Sequence, residues 1–399
     1  MNSKDFNDKN LILKEANDKI FNRNIEKTEI GNNLIFVYTQ PKVGSTSLVS
    51  SLRLAAADKF NIIHLHDENT LKILTGIENL TVNEIINYNA SIGKNIYVID
   101  VYRTPIERKM SVFFEELSAF HFNTSEENVN TYDTKKVIKR FNDIFQHVAT
   151  SDNYMEKYNI TLPETFDYNN KYIHQKINGI NYIKLRLKDS HSWGSILSKI
   201  FEREIIMVND YETNDKKIAE LYRRFKEEYK VPINYYEDIK SCKFLNYYYS
   251  EEERNEYLNL WNQKTSEIHV SFTKTEYELY IKICLENQIY NFIQFEHYID
   301  NGCLCNLCFD KRKELFTKAK SGIKISEKII HNSVVNEYVG TVKTNITNRV
   351  SIYNEMKQKV IQASKNLNKN VIKRNSKFNN KVSNKLNPNV MLNIIKNKK

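Results

Sequence analysis

Phe36-Val37-Tyr38-Thr39-Gln40-Pro41-Lys42-Val43-Gly44-Ser45-Thr46-Ser47 decides the fold, because an apolar run breaks there into a Pro/Gly turn crowded with anion-binding groups. The order is that of a strand, a loop and a helix start. Gly44 lets the backbone approach an anion closely, and Ser45, Thr46 and Ser47 offer hydroxyls. Lys42 offers a point charge, and the N-terminus of the following helix presents backbone N–H groups that have no intrahelical acceptor. The loop is suited to a phosphate or a sulfate. It is not a Walker A loop: G-x-x-x-x-G-K-[ST] is absent, and the lysine precedes the glycine.

A second stretch, Asn95-Ile96-Tyr97-Val98-Ile99-Asp100-Val101-Tyr102, is rich in β-branched and aromatic residues and reads as a buried strand. It ends at Arg103-Thr104-Pro105, where proline stops the strand and is suited to opening a helix. That helix carries Arg108, Lys109 and Ser111 in its first two turns. An arginine fork at a strand's C-terminal end, with a serine on the next helix, is a natural grip for a second phosphate. Without a ligand, Arg103 would instead pair with Glu107 or Asp100.

These two stretches resemble the sulfotransferases that use 3′-phosphoadenosine 5′-phosphosulfate (PAPS). In that family a PK-x-G-[ST]-[ST]-[ST] loop holds the 5′-phosphosulfate, and an arginine followed eight positions later by a serine holds the 3′-phosphate. The resemblance implies that Lys42, Val43, Gly44, Ser45, Thr46 and Ser47 bind the cofactor together with Arg103 and Ser111. Within the superfamily the chain looks closest to the sulfotransferase-like group associated with capsular polysaccharide synthesis. The likeness runs from about Leu34 to Trp261 and includes Arg186-Leu187-Lys188-Asp189 and Tyr248-Tyr249-Ser250-Glu251-Glu252-Glu253. It implies a P-loop-like, three-layer α/β fold with a central, mostly parallel sheet, PAPS as donor, a carbohydrate acceptor and no metal for catalysis.

Between the two stretches lies Ile62-Ile63-His64-Leu65-His66-Asp67. In a strand, residues i and i+2 share a face, so His64 and His66 point the same way. Sulfuryl transfer to a hydroxyl needs a base, and imidazole suits that task near neutrality. His66, nearer the strand's end, is the expected base, with His64 as its neighbour or substitute. Asp67 or Glu68 could serve instead or orient the ring. Lys42 is the expected catalytic cation, neutralising charge on the leaving phosphate.

The rest of the chain fits an enzyme of this size. Its 399 residues, 41% of them hydrophobic, can bury a large core. No apolar run reaches the length of a membrane span, and Met1-Asn2-Ser3-Lys4-Asp5 lacks the layout of a secretory signal, so the expectation is a cytoplasmic protein, able to lie peripheral to a membrane. A helical lead is expected over residues 1–30, the α/β domain over 31–295, a cysteine-containing appendage over 296–360 and a disordered basic tail over 361–399. Strands are expected at 34–40, 61–66 and 95–101, then at Tyr182–Leu187 and Ile205–Val208. Helices are expected near 45–59, 81–90, 105–120, 134–148, 213–229, 251–263 and 275–294, with a capping box at Ser250 and Glu253. The stretch from Thr150 to Lys176 reads as an irregular, aromatic lid or acceptor-binding insertion. Arg186 and Lys188 read as facing an acidic acceptor or the cofactor, and Ser190-His191-Ser192 as a helix cap.

Two further features carry chemistry. Cys303, Cys305 and Cys308 form C-x-C-x-x-C with His297 just upstream, a ligand set that could complete a structural zinc site fastening the appendage; the compact spacing suits reduced cysteines equally well. Residues 361–399 carry Lys365, Lys369, Lys373, Arg374, Lys377, Lys381, Lys385, Lys396, Lys398 and Lys399 and no acidic residue, which accounts for the formal net charge of +10. Such a tail suits an anionic membrane surface or a polyanion. Beside the sulfotransferase stand two other readings, a P-loop-like phosphotransferase and a non-catalytic nucleotide- or polyanion-binding scaffold of the same fold.

Overall fold

Strand β1 (Asn33–Tyr38) is flanked by β2 (Asn61–Leu65) on one side and β3 (Asn95–Tyr102) on the other, both parallel to it. The structure, a computed structural model, describes residues 3–21, 32–144, 152, 156, 160–209, 217–287 and 306–325, all within the unit Met1–Val335. Beyond β3 come β5 (Ile180–Arg186), parallel, and β4 (Tyr172–Ile177), antiparallel, so the order is β2-β1-β3-β5-β4. The protein is α/β with a mixed central sheet flanked by helices.

Alternation along the strands builds the two faces. Leu34, Phe36 and Tyr38 of β1, with Ile63, Leu65, Ile96, Val98, Ile180 and Tyr182, face one way. That face is covered by α1 (Ser3–Phe21), α3 (Glu68–Thr75) and α4 (Val82–Ser91), which bury Leu13, Ala16, Ile20, Leu71, Leu74, Ile85 and Ile86 against it. The expected N-terminal lead is thus a helix of the same core. Ile35, Val37, Ile62, Ile99, Val101, Ile183 and Leu185 face the other way, under α2 (Ser45–Ala56) and a later helix, Trp193–Phe201.

A third, aromatic-rich core collects α5 (Pro105–Glu115), α6 (Glu126–Asn130), α7 (Thr134–Asp143) and, numbering Trp193–Phe201 as α8, the helices α9 (Ala219–Glu228), α10 (Ile233–Lys240), α11 (Lys243–Tyr248) and α12 (Glu251–Asn262). Stacked and edge-on rings such as Phe225 with Tyr229 and Phe141 with Phe225 fill it. After α5 the ladder widens, with His121 N bonding Glu116 O at 3.1 Å and Phe122 N bonding Leu117 O at 3.1 Å, so a π turn replaces the single helix expected over 105–120.

Other differences have local causes. Tyr172–Ile177 forms a strand where an irregular insertion was expected, because the Asn178-Gly179 turn, both residues at positive φ (50° and 83°), folds it back on β5. Ile205–Val208 joins no sheet among the described residues: Ile205 N bonds Ser198 Oγ at 2.8 Å and Val208 N bonds Ser51 Oγ at 2.9 Å, so helix side chains take the backbone groups a ladder would use. Ser192 precedes α8, yet its hydroxyl makes no cap bond. The Ser250–Glu253 capping box forms in both directions. Later come α13 (Lys274–Asn287) and α14 (Asn306–Lys320), and Leu315 of α14 is buried with Leu54 and Val208. The expected tail 361–399 lies outside the described residues, as do most of the appendage and the ends of the helices expected over 134–148, 213–229 and 275–294.

Candidate functional site

The sheet order fixes where a site can form. From β1 the chain winds outward to β2, then crosses back to β3 on the other side, so the winding reverses between β1 and β3. A crevice opens outside the C-terminal strand ends at such a reversal. The loop after β1 and Arg103 after β3 both lie there.

The loop is held from three sides. Gly44, the N-cap of α2, has φ of 85°, and a Cβ on it would lie 2.9 Å from Leu187 Cδ1 and 3.2 Å from Trp193 Cη2. Only glycine suits both the conformation and the space. Trp193 is itself fixed, its Nε1 donating to Arg186 O at 3.1 Å. Lys42 also adopts a left-handed conformation, φ 65°, at a cost of roughly 1–2 kcal/mol for an L-residue. Arg103 Nη1 donates to Lys42 O at 2.6 Å, which ties the turn to the end of β3. No side chain caps α2, so its first N–H groups face the loop's concave side without that competitor.

Lys42 Nζ reaches Glu115 Oε2, the last residue of α5, at 3.0 Å. Val43 and Ser45 are buried, Thr46 and Ser47 half-buried, and Ser111 is buried on α5. The two carboxylates that could have paired with Arg103 bond elsewhere: Glu107 accepts from Tyr257 OH at 3.0 Å and Trp261 Nε1 at 3.1 Å, and Asp100 pairs with Lys184. Burial pulls the Arg103 guanidinium's pKa down, opposed by Tyr222 and Glu107.

His64 and His66 share a face, their rings 4.5 Å apart and edge-on. His64 is fully buried; His66 is half-buried at the strand's end. His66 Nδ1 lies 2.8 Å from Thr39 O. A carbonyl only accepts, so Nδ1 carries a proton, and in the neutral ring the lone pair falls on Nε2, the tautomer a base needs. The alternatives to it have structural work: Asp67 Oδ1 caps α3 by accepting from Thr70 N at 2.7 Å, and Glu68 accepts from Tyr38 OH at 3.0 Å.

On the opposite face of β3 lies a buried polar cluster absent from the sequence reading. Lys184 of β5 pairs with Asp100 and, at 2.6 Å, with Asp152, whose other oxygen accepts from Tyr248 OH. Gln40, Asp100, Tyr102, Arg103, Asp152 and Lys184 line a small cleft beside the loop. Burial, with the negative charge of Asp152, outweighs the pull of Lys184 and lifts the Asp100 carboxyl to about 7. Burial works against the Lys184 ammonium too, but two carboxylates outweigh it and raise its pKa. The available signal was Asp100 in β3 and Lys184 in β5, opposite charges inside two largely apolar strands.

Arg186 is buried in an ion-paired network, and Lys188 lies exposed at its edge. The buried Arg186 bonds Asp189 at 2.5 Å, Tyr248 O at 2.7 Å and Glu253 at 2.7 Å, and Lys188 pairs with Glu253 at 2.7 Å. The two stretches far apart in sequence, around 186–189 and 248–253, are therefore one contact. His297, Cys303 and Cys305 lie outside the described residues, as does the side chain of Cys308. Among the described residues no group of three or more His, Cys, Asp or Glu side chains is arranged to hold a metal. No described helix is long and apolar enough to cross a membrane. Comparison with family models, curated proteins and solved structures finds no match for this chain.

Proposed function

We propose that the chain is a sulfotransferase with a P-loop-like fold that moves a sulfuryl group from PAPS to a hydroxyl of a carbohydrate. The observation that carries the reading is the loop 41–47. It joins β1 to a 12-residue helix that has a glycine N-cap and no side-chain cap, with Lys42 and Arg103 at its mouth. Backbone N–H groups, a helix dipole and two cations at a reversal of sheet winding suit a ligand bearing more than one anionic group.

In the transfer the acceptor oxygen bonds to sulfur, the bond from sulfur to the bridging oxygen breaks, and adenosine 3′,5′-bisphosphate leaves. Lys42 and the N–H groups at the start of α2 stabilise the negative charge that builds on the departing phosphate. His66 takes the acceptor proton at Nε2, its Nδ1–H held on Thr39 O. Arg103 anchors the loop through Lys42 O and, with Ser111, meets the 3′-phosphate.

Calorimetric titration with adenosine 3′,5′-bisphosphate tests the reading. Wild type should bind it in preference to ATP, and Arg103→Ala should weaken that binding. Lys42→Ala should slow transfer by about 2–4 kcal/mol in the barrier, as loss of a preorganised charge stabiliser does. No binding by well-folded protein overturns the reading in favour of the scaffold, and magnesium-dependent turnover of ATP in favour of the phosphotransferase.

A further inference from the structure

Glu115 is a carboxylate beside the loop lysine. It is the last residue of α5, Glu116 follows it, and the last turn of that helix holds no basic residue. Glu116 closes α5 and opens the π turn that follows it. Burial and Glu115 raise the pKa of Glu116, with Lys109 and Lys42 pulling it back. Glu115 contacts the loop lysine at 3.0 Å, the two side chains 29% and 18% exposed.

The β3–α5 unit therefore clamps Lys42 at both ends. Arg103, at the close of β3, holds its carbonyl, and Glu115, at the close of α5, holds its ammonium. The first contact sets the backbone in its left-handed turn. The second places a carboxylate on the cation that a phosphate-type ligand needs.

We propose that Glu115 is a built-in anion that occupies Lys42 until an anionic nucleotide displaces it. The inference rests on the reading of the loop as a nucleotide site. Binding is then an exchange of partners: Lys42 leaves one carboxylate for the ligand's phosphate-type oxygens, and Glu115 turns to solvent or to Lys109. The exchange taxes every anion equally in energy. A ligand with several anionic groups meets that cost through its other contacts, whereas inorganic phosphate or sulfate cannot, so the pair keeps small ions out of the loop.

The test is calorimetric titration of the full chain with adenosine 3′,5′-bisphosphate in four forms: wild type, Glu115→Gln, Lys42→Ala and the double variant. Glutamine keeps the size and hydrogen-bonding capacity of the side chain and removes its charge. Glu115→Gln should bind about two- to five-fold more tightly, the span set by partly exposed ion pairs. That gain should vanish in the Lys42→Ala background, which isolates the pair from the general field. Wild-type binding with no gain from Glu115→Gln, or a gain that persists without Lys42, overturns the latch and leaves the nucleotide reading standing. Failure of all four well-folded forms to bind takes both down. Thermal melts of each form identify any variant that fails to fold, and for such a variant at position 115 Glu115→Ala supplies the same comparison.

Discussion

Asp100 and Lys184 meet in the interior with a second carboxylate, and two carboxylates for one cation leave the cluster with a proton to share. The Asp100 carboxyl, lifted to about 7 from an unfolded value of 3.8, holds its proton in the folded chain over a range where the unfolded chain has lost it. Its contribution to stability is thus complete below about pH 4 and fades as pH rises through 7. Asp100→Asn removes that dependence. Its stability relative to wild type should rise by about 2 kcal/mol between pH 5 and pH 8 in urea denaturation; equal differences at both pH values would show Asp100 ionised throughout. Residue by residue, the loop was legible because Pro41, Gly44 and the three hydroxyls announce their chemistry locally, and so was the shared face of His64 and His66, which follows from strand period. Glu115 was not, since nothing near it in sequence points to Lys42. Nor was the inward turn of Arg186, whose partners Tyr248 and Glu253 come from later helices.

Among the elements, the junction of β5 with α12 carries most of the polar bonding. Glu253 closes the Ser250 capping box and at the same time neutralises Arg186 and Lys188. Glu253→Ala should therefore destabilise the chain by about 3 kcal/mol, because it strips a carboxylate from a buried guanidinium as well as a cap from a helix. Glu253→Gln should recover roughly 1 kcal/mol of that, since glutamine also serves in a capping box. Guanidinium denaturation of the three forms checks both values, and equal losses in Ala and Gln would assign the whole effect to charge. Strands β1, β2, β3 and β5 were readable as apolar runs bounded by turns. β4 was not, because its exposed, mixed residues, such as His174 and Lys176, suit an edge strand whose order comes from its neighbour. Ile205–Val208 misled for the opposite reason: Ile205 and Val208 are buried, but Ser51 and Ser198 hold the backbone.

Across the whole molecule, the formal charge of +10 lies entirely in residues 361–399, so a chain ending at residue 360 is formally neutral. Sedimentation with anionic vesicles should show the full chain binding and releasing as salt rises, and the shortened chain not binding at either salt. Nucleotide affinity should be the same in both, and a shortened chain that still sediments would place the vesicle-binding surface in another part of the protein. The α/β class was legible because alternation of apolar runs and amphipathic stretches survives in one sequence, whereas the antiparallel edge depends on pairing between segments. The same pairing bears on the imidazoles. Among the described residues β2 is an outer strand paired with β1 alone, and sliding it by one residue would exchange His64 and His66 for Ile63 and Leu65 on the loop's side of the sheet. Thr39 N on Leu65 O and His66 Nδ1 on Thr39 O fasten the strand just past its ladder. His66 is thus a register pin as well as the proposed base: the side chain proposed to take the proton also keeps its own strand from slipping out of phase.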